Sequence, residues 1–172
     1  MTMVLDGDGL VSYGVPNTRT VQNASGSAIE FTSIPSGTKR ITLVLNVVSV
    51  SGTSSMQIQA GTGSTTYTTS GYLGSYGYFS NGGTPTTAQS TTGFIVFTNN
   101  ASYVVSGLFV LTNINGNNWV GSGGFTTNNG STTNFQNWNS GSIALGAALT
   151  AIRVTSTGVD TLDAGTINIL YE

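Results

Sequence analysis

Apolar residues in this chain recur at every second position, and β-branched side chains dominate the apolar runs, which is the pattern of half-buried strands and not of helices. The clearest run puts Ile41, Leu43, Leu45 and Val47 on one face and Val44 and Val48 on the other, predicting a long central strand that is partly covered on both sides. The same pattern predicts strands near Ala28 to Thr32, Ser55 to Ala60, Gly93 to Thr98, Tyr103 to Thr112, Asn118 to Phe125, Thr150 to Thr155 and Thr166 to Tyr171. Between them lie Gly- and Asn-rich turns that tolerate positive φ, such as Ser51-Gly52-Thr53 and Asn128-Asn129-Gly130, so neighbouring strands are expected to run antiparallel. Asn115-Gly116 predicts a hairpin between the strand ending near Thr112 and the strand carrying Trp119. Gly141 to Ala151 reads as a loop with one turn, a short helix being the alternative.

No crossover helices are available, so the expected fold class is all-β: an antiparallel two-sheet β-sandwich of jelly-roll or Greek-key type over residues 26–172. Residues 1–25 are short apolar pieces broken by Gly and Pro and read as an extended N-terminal arm. Its Val4, Leu5, Leu10, Val11 and Val15 need a surface to pack on, either their own domain, a neighbouring subunit or a larger assembly, so attachment is the role expected of the arm. In Ile34-Pro35-Ser36-Gly37, Pro and Gly predict a turn, and Lys39 with Arg40 opens the long strand, where like charges would discourage edge pairing.

At 172 residues the chain fits one domain, able to bury its core without disulfides or metals, and it has no cysteine with which to do otherwise. Only Arg19, Lys39, Arg40 and Arg153 stand against Asp6, Asp8, Glu30, Asp160, Asp163 and Glu172, too few and too scattered to neutralise a phosphate backbone, so no nucleic acid is expected. No run of about 18 apolar residues predicts a membrane-spanning helix, and the first ten residues lack the basic and apolar regions of a secretory signal.

His and Cys are both absent, which removes Ser-His and Cys-His nucleophile activation and the imidazole and thiolate ligands that zinc prefers. Carboxylates alone can hydrolyse a glycosidic bond, and Asp160 with Asp163, or Glu30, would be the candidates. Their setting, Gly158 to Gly165, reads first as a turn capped by Asp, and no enzyme, cofactor or metal site is expected. Asp6-Gly7-Asp8-Gly9 opens like a calcium loop but fails on ligand count, Asn17 standing where a Glu would be needed.

Sugar recognition commonly rests on exposed aromatic faces ringed by hydroxyls and amides. Tyr72, Tyr76 and Tyr78 lie in the Gly-rich segment from Gly71 to Phe79, and Trp138 lies near Asn-rich loops, which makes these four the candidate carbohydrate-binding residues. Trp119 falls in a predicted strand and is assigned to the core. Low charge on Ser/Thr-rich strands leaves edges undefended, so a homo-oligomer is expected.

Three segments are similar to small bacteriophage virion and tail-fibre proteins with a β-sandwich head: IEFTSIPSGTKRITLVLNVVSVSGTS from Ile29 to Ser54, TSGYLG from Thr69 to Gly74, and AIRVTSTGVDTLDAGTINILYE from Ala151 to Glu172. The opening VLDGDGLVSYGVP resembles lead-in segments of the same group. The resemblance implies a non-enzymatic structural protein of the virion, made in the host bacterial cytoplasm, with other virion proteins as partners. It further implies a homo-oligomer, a trimer first, and often a host surface polysaccharide as ligand. A tail-fibre or tail-tip module is the leading expectation, and a capsid decoration or cement subunit the alternative.

Overall fold

The structure, a computed structural model, describes residues 17–80, 82–129 and 134–172. The arm positions Val4, Leu5, Leu10, Val11 and Val15 lie outside the described residues. Thirteen strands run in the order β1 (Asn17–Thr18), β2 (Gln22–Asn23), β3 (Ala28–Phe31), β4 (Arg40–Val50), β5 (Met56–Gly61), β6 (Leu73–Ser80), β7 (Thr86–Ser90), β8 (Phe94–Val96), β9 (Val104–Asn115), β10 (Asn118–Asn128), β11 (Asn134–Ala144), β12 (Ala151–Ser156) and β13 (Leu162–Tyr171). Among the described residues there is no helix.

The strands form two antiparallel sheets packed face to face, the sandwich that the alternation predicts. The larger sheet has the order β1-β13-β4-β9-β10-β11-β6-β7, with β2 also pairing β13, and the smaller has the order β3-β12-β5-β8. β9, β10 and β11 form a meander, and the first of its turns is the Asn115-Gly116 hairpin, with Gly116 at φ 48. Elsewhere the chain crosses between sheets, as from β4 to β5 and from β12 to β13. Residues 17–23, placed in the arm by sequence, hold β1 and β2, which line up on β13. Arg19 ties this segment across the sandwich edge by donating to the Thr32 carbonyl at 3.1 Å.

The core is aliphatic where the small sheet covers β4, β9 and β13. Ile41, Leu43, Leu45, Phe109, Leu111, Ile167 and Ile169 face Ile29, Phe31, Ile58, Ile152 and Val154, all buried. Each side chain of this size contributes about 1.5–3 kcal/mol by leaving water. One face assignment within β4 is corrected. Val47 does not continue the buried row of Ile41, Leu43 and Leu45, because a bulge at Asn46 and Val47 shifts the register and turns Val48 and Val50 inward. Val47 sits at φ 48 with its amide donating to Ser106 Oγ at 2.9 Å, and its carbonyl fits against Gly165, which lies at φ +89.

β4 is a central strand, so Lys39 and Arg40 guard no edge. Both amides donate to the Glu172 carbonyl, and the Arg40 guanidinium pairs with the Glu172 carboxylate at 3.4 Å. Ile34 to Gly37 does turn, the Thr38 amide closing on the Pro35 carbonyl at 2.9 Å.

Three strands lie where the sequence reading expects loops: β6, β7 and β11. Gly141 to Ala144 completes β11, and only the residues after it, up to β12, form the expected loop. On β11 the inward positions are Phe135, Asn137, Asn139, Gly141 and Ile143, so period two is kept but three of the five are polar or bare. Their partner explains this. β8, the edge of the small sheet, packs on β11 and β6, and an edge strand presents unpaired carbonyls. Asn139 Nδ2 donates to the Ile95 carbonyl at 2.8 Å, and Asn137 Nδ2 and Thr127 Oγ1 both donate to the Phe97 carbonyl at 3.2 Å. Buried amides thus close an edge that aliphatic side chains would leave unsatisfied.

Candidate functional site

The four aromatic candidates do not come together. Tyr72 is fully buried. Its hydroxyl donates to the Thr68 carbonyl at 3.1 Å and accepts the Ala60 amide at 2.9 Å, and burial pushes its pKa up to about 12. The ring meets Phe94 edge to face at 5.2 Å, so Tyr72 is a core residue and has no face to offer a sugar. Tyr78 faces inward and lies flat on Phe97, ring centroids 3.6 Å apart. Tyr76, on the same inward row, is half-buried and lines a hydroxyl-rich cleft with Ser55, Gln89, Thr91 and Thr92.

Trp138 lies on the opposite, outward face of the large sheet, 38% exposed, beside Phe79 at 42% and 5.9 Å between centroids. Its cross-strand neighbours are Gly77 on β6 and Gly124 on β10. A Cβ on Gly77 would stand 2.4 Å from Trp138 Cζ2, so the indole leans over bare backbone on that side. A Cβ on Gly124 would meet nothing within 4 Å. Beyond Gly124 in register comes Leu108 on β9, half exposed.

The result is a slot with Gly124 as floor and Trp138 and Leu108 as walls. The walls are two strand spacings apart, roughly 10 Å. Two residues along each strand, about 7 Å away, the slot is rimmed at one end by Ser122 and Ser140 and at the other by Thr126 and Gln136. Gln136 Nε2 donates to Thr126 Oγ1 at 3.3 Å, which holds that rim in place. Farther along the same face Leu73 is 78% exposed between two depressions of about 370 and 440 Å³, near Ile114 and Val120, which are also exposed.

Sequence reasoning found Trp138 but missed Phe79, Leu108 and Gly124. One signal was available: from Ile41 to Ile152 the sequence contains no Asp, Glu, Lys or Arg, which marks the β9, β10, β11 and β6 part of this face as charge-free, Arg40 on β4 lying beyond it.

The carboxylates sit elsewhere, each with a local task. Asp160 Oδ2 accepts the Ser54 amide at 2.7 Å, and Ser54 holds its pKa below the usual carboxylate range. Asp163 accepts Ser49 Oγ, and Glu30 stands on β3 in the other sheet. Among the described residues no three His, Cys, Asp or Glu side chains gather where a metal could bind. No protein-family model, curated protein or solved structure matches this chain.

Proposed function

We propose that this domain is a non-catalytic binding module of a bacteriophage particle, a tail-fibre or tail-tip part that contacts a host surface glycan through the Trp138 slot. The observation that carries the reading is the bare Gly124 floor between Trp138 and Leu108, rimmed by hydroxyls and an amide. An aromatic wall stacks on the C–H face of a pyranose while Ser122, Ser140, Thr126 and Gln136 meet its hydroxyls, and the rigid sheet fixes all of them before binding. The virion setting rests on the resemblance of Ile29 to Ser54, Thr69 to Gly74 and Ala151 to Glu172 to phage structural proteins.

A glycan array followed by host-cell adsorption tests this reading. Trp138→Ala should lower affinity at least about tenfold, the scale of losing one well-placed contact, and should abolish adsorption. Unchanged adsorption would remove the reading.

Leu73, Ile114 and Val120 favour a second use of the same face, since several exposed aliphatics on one face suit subunit packing better than sugar. On that reading the protein is a decoration or other structural subunit, and a second copy or a virion neighbour covers the face. A Leu73→Ser, Val120→Thr double variant should then lower the mass seen in sedimentation, and an unchanged mass would count against it.

A further inference from the structure

We infer that the slot takes an uncharged glycan and holds it without a single ion pair; this rests on the saccharide reading above and narrows it. The stretch from Ile41 to Ile152 supplies the floor, both walls and all four rim residues, and it contains no Asp, Glu, Lys or Arg. The loops between β6 and β7 and between β10 and β11 belong to the same charge-free stretch.

The four cations are committed elsewhere. Arg40 pairs with Glu172 at 3.4 Å at the end of β4, and Lys39 Nζ donates to Asn113 Oδ1 at 3.4 Å. Arg153 is on the small sheet, its Nε donating to Gln59 Oε1 at 2.8 Å and its guanidinium over the Tyr67 ring at 4.4 Å. Arg19 is held by the Thr32 and Ser33 carbonyls.

A uronate, sulfate or phosphate entering the slot would shed water with no countercharge to replace it. Backbone amides cannot substitute, because β10 is paired on both sides and its N–H groups are engaged in the ladders to β9 and β11. An amino-sugar cation would fare no better, since among the described residues no carboxylate stands on the strands of the slot. Ser, Thr and Gln side chains both donate and accept, which matches neutral hydroxyls.

The test is an array carrying neutral and acidic glycans, probed with the full chain and with Trp138→Ala at low and high salt. The expected result is binding to neutral glycans only, lost in Trp138→Ala and changing less than about twofold with salt, because no screened charge takes part. Binding to acidic glycans that Trp138→Ala abolishes would overturn this inference and leave the saccharide reading standing. Binding to no glycan, or binding indifferent to Trp138→Ala, would overturn both.

Discussion

The two halves of the large sheet are built on different chemistry. Under the small sheet, β4, β9 and β13 bury leucine, isoleucine and phenylalanine against side chains of the same kind. Under β8, β11 buries Asn137 and Asn139 against backbone carbonyls. The first half is held by area removed from water and the second by Nδ2 donations to the carbonyls of the covering strand, with Asn137 Oδ1 and Asn139 Oδ1 left buried and unpaired, so a strand can pack without aliphatic alternation when its partner is an edge. Only the second half carries the exposed Trp138 and Phe79 on its other face.

Substitutions grade this contrast. Gly141→Val should be the most damaging in the amide-bearing half: its Cβ would stand 2.6 Å from Gly74 Cα and from the Leu73 carbonyl, both backbone. Loss of more than about 4 kcal/mol, or no folding, is expected in a denaturant titration. In the aliphatic half Phe109→Ala should cost about 3–5 kcal/mol by the same measurement, through lost transfer energy and a cavity. Asn139→Leu should cost about 1–3 kcal/mol, the penalty of leaving the Ile95 carbonyl buried and unpaired. A neutral or stabilising Asn139→Leu would break the contrast, because β8 would then need no amide clamp.

What was legible in the sequence follows the same division. β4, β9 and β13 announce themselves because their core positions are apolar at period two; what was hidden is the bulge at Val47 and the start of β13, which begins at Leu162 inside the expected turn and shifts register before Thr166, both features that depend on the partner strands. β11 was hidden because Asn137 and Asn139 read as loop residues until β8 is seen above them. β6 was hidden because Gly71, Gly74 and Gly77 resemble a loop, although Gly77 is bare in order to seat Trp138. Trp138 could be singled out by its type, but its face could not, and Gly124 has no side chain by which to be noticed. Tyr72 was misplaced for the converse reason: its flanking glycine, Gly71 at φ +81, is a feature of loops, whereas the ring beside it fills the core.

A smaller effect concerns pH. The Asp160 pKa is lowered in the folded state by the Ser54 hydrogen bonds, so its contribution is present above the unfolded carboxylate value, near 4, and is lost as pH falls through the lower folded value. An Asp160→Asn variant should therefore be less stable than the parent at neutrality, show a flatter acid limb in stability against pH, and converge with the parent at low pH. A full acid limb in the variant would move that role to another carboxylate.

The most direct test of the account is glycan affinity in Gly124→Thr. A Cβ at this position has nothing within 4 Å and threonine suits a strand, so stability should stay within about 0.5 kcal/mol of the parent. The slot between Trp138 and Leu108, however, would be filled. The account predicts a folded protein whose affinity falls at least about tenfold; a folded Gly124→Thr protein that binds as tightly as the parent would contradict it.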